Sequence, residues 1–169
     1  MKKPSSTSGF TLIELMIVIA IIGVLAMIGL PSLRNSYNNS MVKTTVSDVH
    51  IDMLLARSEA IKRNASVDVA PITGGWQIQL VSDGTILKTR NDTPDPITVE
   101  CNINTSAAAE ACPNPYVRYT RTGRVSSFIE VRFYIGNNPN VAMRCLSTTL
   151  SGRPYIEVDT DGTTSDGCD

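Results

Sequence analysis

A single carboxylate, Glu14, stands inside an otherwise apolar run from Phe10 to Leu30, FTLIELMIVIAIIGVLAMIGL. Placing an ionisable group in a bilayer costs about 2.5 to 3.5 kcal/mol, and such groups are kept where they find a partner. The residues just before it offer one. A cut between Gly9 and Phe10 would leave a new α-amine on Phe10, cationic near neutral pH, just over one helical turn from the acid. The chemistry this spacing offers is electrostatic pairing in an apolar medium. The amine of one copy would meet the Glu14 of its neighbour, each offsetting the other's desolvation.

The remaining reactive residue types point away from catalysis. There is no G-x-S-x-G elbow, no phosphate-binding glycine loop and no histidine-rich metal set, so the chain is read as a substrate of processing enzymes and not as an enzyme. His50, the only histidine, has no evident nucleophile or orienting partner and reads as structural. Cys101, Cys112, Cys145 and Cys168 contain no C-x-x-C pair, which argues against zinc. The tail Asp159-Thr160-Asp161-Gly162-Thr163-Thr164-Ser165-Asp166 alternates hard oxygen ligands. Its spacing fails a calcium loop after Gly162, and no closing glutamate follows. A polar loop tied down through Cys168 is expected there, with no metal and no cofactor.

The element that positions Glu14 is a helix. At 1.5 Å per residue, residues 10–30 span about 30 Å, the thickness of a bilayer's hydrocarbon core. Lys2 and Lys3 precede the span without an acid, which places the N-terminus in the cytoplasm and everything after Pro31 outside. A secretory signal carries its cleavage site after the apolar run. Here the small residue, Gly9, stands before it, so cleavage would retain the span. The formal net charge of −1 becomes −3 once Lys2 and Lys3 are removed, a total that demands no nucleic acid partner.

These residues carry a resemblance. Gly9-Phe10-Thr11-Leu12-Ile13-Glu14 is similar to the prepilin peptidase site of type IV pilins and type II secretion pseudopilins, over about the first 35 residues. The resemblance implies cleavage after Gly9, methylation of the Phe10 amine, and use of Glu14 in assembly. Pro31 sits where many pilins kink or melt their long helix. The implied partners are a prepilin peptidase/methyltransferase, the inner membrane, and other minor and major pilins or pseudopilins. The implied location is a single-pass inner-membrane protein with a periplasmic C-terminal domain, also incorporated in a filament.

Beyond the span, four segments are expected: a leader at 1–9, the transmembrane helix at 10–30, an amphipathic helix at 31–64 and a β domain at 65–169. Leu33, Tyr37, Met41 or Val42, Val46, Val49, Met53, Ala56, Ala60 and Ile61 form one apolar stripe. Lys43, Asp48, Asp52, Arg57, Glu59 and Lys62 are read as the solvated face opposite it. Proline predicts a bend or break between 28 and 32, and Asn64 suits a C-terminal cap. Period-two runs follow at 66–72, 76–81, 85–90, 97–101, 116–120, 128–135, 141–148 and 155–159. The fold class is α+β, a long helix packed on one twisted antiparallel sheet or two small ones. Four cysteines beyond the span, in an oxidising compartment, make two disulfides in any of three pairings. Loop-closure entropy favours Cys101 with Cys112 and Cys145 with Cys168.

The segment Leu54-Leu55-Ala56-Arg57-Ser58-Glu59-Ala60-Ile61-Lys62-Arg63-Asn64 is followed by strands and by two Gly-Arg turns, Thr122-Gly123-Arg124 and Ser151-Gly152-Arg153. Together they resemble the H-type pseudopilin and FimT/FimU minor pilin family. That resemblance implies a pilin-like fold and a low-abundance subunit that primes or caps a filament. FimT-like members also bind DNA through a Gly-Arg-x-Arg turn. Here Gly152-Arg153-Pro154-Tyr155 lacks the second arginine, and DNA contact at Arg124 and Arg153 stands as the alternative to arginines paired with Glu130 and the tail acids.

Overall fold

The computed structural model describes residues 10–102, 112, 114–128, 130–136, 138–160 and 168. The leader with Gly9, the interior of the Cys101–Cys112 loop, Ile129, Asn137 and the tail at 161–167 lie outside the described residues. The chain divides into two compact units, residues 1–36 and residues 37–169.

The first unit consists of the opening turns of α1 (Leu12–Arg63), which runs through Pro31 without interruption. The expected break between 28 and 32 is absent. A helix-interior proline removes one intrahelical hydrogen bond, and the helix is continuous on both sides of it. Thr11 caps the N-terminus, its Oγ1 accepting a hydrogen bond from the Glu14 backbone N–H at 3.3 Å, one half of a capping box. Phe10, Leu12, Ile13, Leu15 and Met16 are exposed, as are the large apolar residues at Ile17, Ile19, Ile21, Ile22 and Leu25.

In the second unit, α1 continues to Arg63 and ends in a Schellman motif on Asn64. The Asn64 φ is 50°, Asn64 N–H donates to Ile61 O, and Ala65 N–H donates to Ala60 O. The sequence-based cap is therefore the observed one. Among the described residues nine strands follow: β1 (Val67–Ile72), β2 (Gly75–Leu80), β3 (Ile86–Arg90), β4 (Thr98–Asn102), β5 (Val117–Tyr119), β6 (Val125–Phe128), β7 (Glu130–Tyr134), β8 (Arg144–Thr148) and β9 (Pro154–Val158). They form two sheets, ordered β3-β2-β1-β5-β6 and β4-β7-β8-β9, with every pair antiparallel. The α+β expectation holds, with two small sheets.

Two expectations need correcting. The partner returning after the Thr122-Gly123-Arg124 turn is β6, not a strand at 128–135. The chain then changes sheets, and β7 pairs with β4 and β8. The apolar stripe is also shorter than expected. Val42, Val46, Val49, Met53, Ala56 and Ala60 are buried, whereas Leu33, Tyr37 and Ile61 are exposed. These six residues pack on cross-strand rows from the first sheet, Ile78-Val69-Val117 and Leu80-Val67-Tyr119. From the second sheet they meet Val131, Phe133 and Leu146, so one core joins the helix to both sheets. The two disulfides are Cys101–Cys112 and Cys145–Cys168, the pairing that short loop closure favoured.

Candidate functional site

Two places in the chain gather chemically capable residues. At the N-terminus, Glu14 is exposed among exposed apolar neighbours. Its backbone N–H is capped by Thr11, and its carboxylate has no hydrogen bond or ion pair among the described residues. A carboxylate in the first helical turn also lies in the favourable field of the helix N-terminus. The acid is thus held at a fixed place on an apolar rod with its charge unspent. Phe10, the first described residue, is exposed beside it.

In the second unit, the sequence reading missed a buried ionic centre. Asp52, expected on the solvated face, is fully buried. It accepts hydrogen bonds from Trp76 Nε1 at 2.9 Å, Arg90 Nε at 3.0 Å and Lys88 Nζ. Arg90 reaches on to Asp48 at 3.5 Å and lies 5.8 Å from the centre of the Trp76 ring. Burial pushes the Asp52 pKa up, but the hydrogen bonds from Lys88, Arg90 and Trp76 outweigh it and hold the carboxyl below the usual range. Asp52 in return raises the Arg90 pKa. The signal was present in the spacing. Asp52 is three residues after Val49 and four before Ala56, both buried, so it belongs to the core face, where a carboxylate demands partners.

Arg57 was also read as solvated. Its Nε donates to Gly123 O at 3.0 Å and its Nη2 to Ser151 O at 3.1 Å, so one guanidinium ties both Gly-Arg turns to the helix. The turns also touch one another. Gly123 has φ +73° and Gly152 φ +82°, and a Cβ on Gly152 would lie 2.1 Å from Gly123 O. Each turn is built alike, with Gly123 N–H donating to Thr120 O and Gly152 N–H to Thr149 O. Arg124 and Arg153 project from these joined turns and are exposed. Arg132 pairs with Glu130 as expected, whereas Arg118 forms a bidentate pair with Asp68 across β1 and β5. His50 Nε2 lies 3.2 Å from Pro154 O, a structural contact between α1 and β9. Among the described residues no group of three or more His, Cys, Asp or Glu could hold a metal ion.

Comparison with known proteins gives these features a family. The model for the prokaryotic N-terminal methylation motif matches residues 4–30, the stretch that holds Gly9, Phe10 and Glu14. The Type II transport protein GspH model matches residues 45–162, most of the second unit. Type IV major fimbrial proteins FimA of Dichelobacter nodosus are 52% identical over 44 residues. That is 26% of this chain, and the match spans 28% of those relatives' length. Among solved structures, the type IV minor pilin FimU of Pseudomonas aeruginosa superposes with a TM-score of 0.56 at 13% identity, over 75% of this chain and 94% of FimU. The minor pseudopilin EpsH from the Type 2 Secretion System of Vibrio cholerae gives 0.52 at 15% identity, over 69% of this chain and 96% of EpsH. At those identities the superpositions establish a shared fold. The family model covers more than half of the chain, and it shows that this protein belongs to the GspH family of pilin-like proteins, with an N-terminal methylation motif ahead of its pilin fold.

Proposed function

We propose that this chain is a minor type IV pilin, a low-abundance filament subunit that helps prime or cap assembly at the inner membrane. One observation carries the reading: a Glu14 carboxylate that has no hydrogen bond or ion pair among the described residues, on a helical surface that is otherwise apolar and exposed. Only a neighbouring subunit in the same membrane can both cover that surface and neutralise that charge. In this reading a prepilin peptidase cuts between Gly9 and Phe10 and the Phe10 amine is methylated. Residues 10–30 anchor the chain with its N-terminus in the cytoplasm, and the second unit stands in the periplasm until it enters a filament. Its partners are the other minor and major pilins, and its role is architectural, not catalytic. An H-type pseudopilin in a type II secretion system would use the same motif and the same contacts.

Glu14→Ala tests the reading. The substitution removes the cost of inserting the acid, so membrane levels and leader processing are retained, while the amount recovered in sheared pili falls at least tenfold by immunoblot. Normal recovery in pili would contradict an assembly role for Glu14. Gly9→Leu separately blocks cleavage and leaves the leader mass on the protein.

A second reading, DNA contact, is favoured by the joined Gly-Arg turns, because Arg57 holds Arg124 and Arg153 on adjoining exposed loops. Two guanidiniums on phosphates would give a salt-sensitive gel shift. Arg124→Ala with Arg153→Ala would reduce the slope of log affinity against log salt by about 2. No shift at modest ionic strength removes this reading.

A further inference from the structure

At the Pro71–Trp76 end of the β1–β2 hairpin a cleft of about 460 Å³ opens towards β4 and β7, with Ile72, Ile97, Val99, Phe133 and Tyr116 in its wall and Asp95 at its edge. That volume lies within the range of ligand sites, about 300 to 1,000 Å³, and suits the tip of a turn. The rim is fixed, because Thr93 N–H donates to Gly74 O at 3.0 Å. Ile72, Ile97 and Val99 are half-buried, so the cleft holds apolar surface that the core leaves unfilled. Tyr116 in its wall is only 6% exposed, and its hydroxyl has no hydrogen bond among the described residues. Burial pushes the pKa of that hydroxyl up to about 12, so it stays a neutral donor near neutral pH. A buried hydroxyl in an apolar wall calls for an acceptor from whatever fills the cleft.

The chain carries a projection of matching chemistry. The turns at 120–123 and 149–152 are closed alike, by Gly123 N–H on Thr120 O and Gly152 N–H on Thr149 O. At the equivalent corner one carries Arg121 and the other Leu150, which is 76% exposed. The build of the turn therefore does not call for leucine. Leu150 is presented on a rigid base: Arg57 holds Ser151 O, Gly152 lies against Gly123 O, and Thr149 Oγ1 accepts from Arg153 N–H. The N–H and C=O of Leu150 take part in none of the bonds that close the turn, so its carbonyl can accept from an incoming donor. Three residues on, Arg153 is exposed, and neither its guanidinium nor the exposed Asp95 carboxylate has a hydrogen bond or ion pair among the described residues. One chain does not fill its own cleft. Tyr119, next to the first of the joined turns, pairs with Val67 at the start of β1, whereas Ile72 ends that strand, about 17 Å away.

We propose that the Leu150 turn of one copy seats in the cleft of a second copy of this chain, its leucine against Ile72, Ile97 and Val99, its Arg153 on Asp95, and its Leu150 carbonyl accepting from Tyr116. Apolar surface, charge and the unanswered hydroxyl are then matched together, and the turn is already held in shape, so little ordering is lost on docking. The contact joins different patches on the two copies, so it is head-to-tail and can repeat in line. It deepens the filament-subunit reading above and rests on it only for where the contact forms: the assembly that primes a filament holds at least two copies in a row. The turn, the cleft and their charges stand without that reading.

A photo-crosslinking residue in place of Leu150 tests the contact in the full-length protein in detergent micelles. A concentration-dependent adduct of twice the subunit mass is expected, mapped by peptide mass to residues 71–76 or 93–99. Arg153→Glu or Asp95→Lys alone should lower the adduct yield about fivefold or more, and the two reversals in one chain should restore it. No adduct, an adduct mapped elsewhere, or no rescue by the double reversal overturns the contact. In cells the same doubled mass is expected, and an adduct with a different chain in its place overturns the choice of a second copy as partner. The two proposals fail separately. Normal pilus entry of Glu14→Ala sinks the filament reading and leaves the micelle adduct intact, whereas a missing adduct leaves Glu14-dependent assembly standing.

Discussion

Replacing Asp52 by alanine tests whether the helix is fastened to the first sheet by charge as well as by packing. Three donors converge on this fully buried carboxylate, one from Trp76 on β2 and two from Lys88 and Arg90 on β3. Its removal leaves the Trp76 indole N–H buried and unpaired, which costs about 1 to 3 kcal/mol. It also strands two cations, and breaking a buried pair costs about 3 to 5 kcal/mol. The Lys88 and Arg90 side chains are 34% and 24% exposed, so both can turn partly to water and the sum falls short of the two figures added. A loss of about 3 kcal/mol is expected, a fall of about 10 °C in the thermal midpoint for a unit of this size. Asp48→Ala removes a looser contact to the same arginine from a carboxylate already 35% exposed, and should cost less than about 1 kcal/mol.

The pH dependence gives the same argument a second handle. The Asp52 pKa is depressed in the folded state, so its contribution is present above the unfolded-state value of about 3.9 and is lost as pH falls through the folded-state value. The gap in midpoint between wild type and Asp52→Ala should be flat from about pH 5 to pH 8 and should close below about pH 4. The assay is thermal unfolding followed by Trp76 emission across that range. A midpoint change under about 2 °C, a cost equal to that of Asp48→Ala, or a gap that does not narrow as pH falls below about 4 would refute the reasoning.

Other substitutions test the joined turns and the disulfides. Gly152→Ala places a Cβ 2.1 Å from Gly123 O at a φ of +82° and should cost more than about 2 kcal/mol in thermal unfolding, since neither backbone can yield without losing its turn. Arg57→Ala removes two charged hydrogen bonds to Gly123 O and Ser151 O. It should cost about 1.5 to 3 kcal/mol, with faster amide exchange confined to the two turns. Cys145→Ser opens a loop with a sequence separation of 23, Cys101→Ser one of 11. Each should cost about 3 kcal/mol, the longer loop slightly more, as read from denaturation midpoints under non-reducing conditions.

The fold was legible where one physical signal acted alone. The apolar run, the αL-tolerant Asn64 at the helix end and the Thr73-Gly74-Gly75 turn between β1 and β2 are each fixed by local sequence, and each is where the residues placed it. The signal failed where two arrangements share one pattern. From Phe128 to Ile135 the residues read as one apolar-rich run, with strict alternation from Ile129 onward, yet the chain leaves the first sheet after β6 and enters the second as β7. Both sheets bury one face on the same core, so a strand read by alternation looks alike on either side of the crossing. At the other end of the stripe, Leu33 and Tyr37 continue the helical period, yet they are exposed. Periodicity marks which face is apolar and says nothing about where the partner stops.

Polar residues within the core face were the least legible, and they matter most for what the second unit can do. Asp52 and Arg57 were sorted by type onto the solvated face, although position 52 shares the angular sector of Val49, Met53 and Ala56. Sorting by angle would have forced the question of where the partners of Asp52 lie, and the candidates with matching charge on adjacent strands are Lys88 and Arg90. That choice has a consequence for the surface. Because Asp52 takes up both cations, Arg90 reaches Asp48 only as a second and looser contact at 3.5 Å. At the other unit, Glu14 is an exposed acid with no hydrogen bond or ion pair among the described residues, on a surface that is otherwise apolar. An acid so placed would let wrong partners be rejected by charge before apolar contact forms.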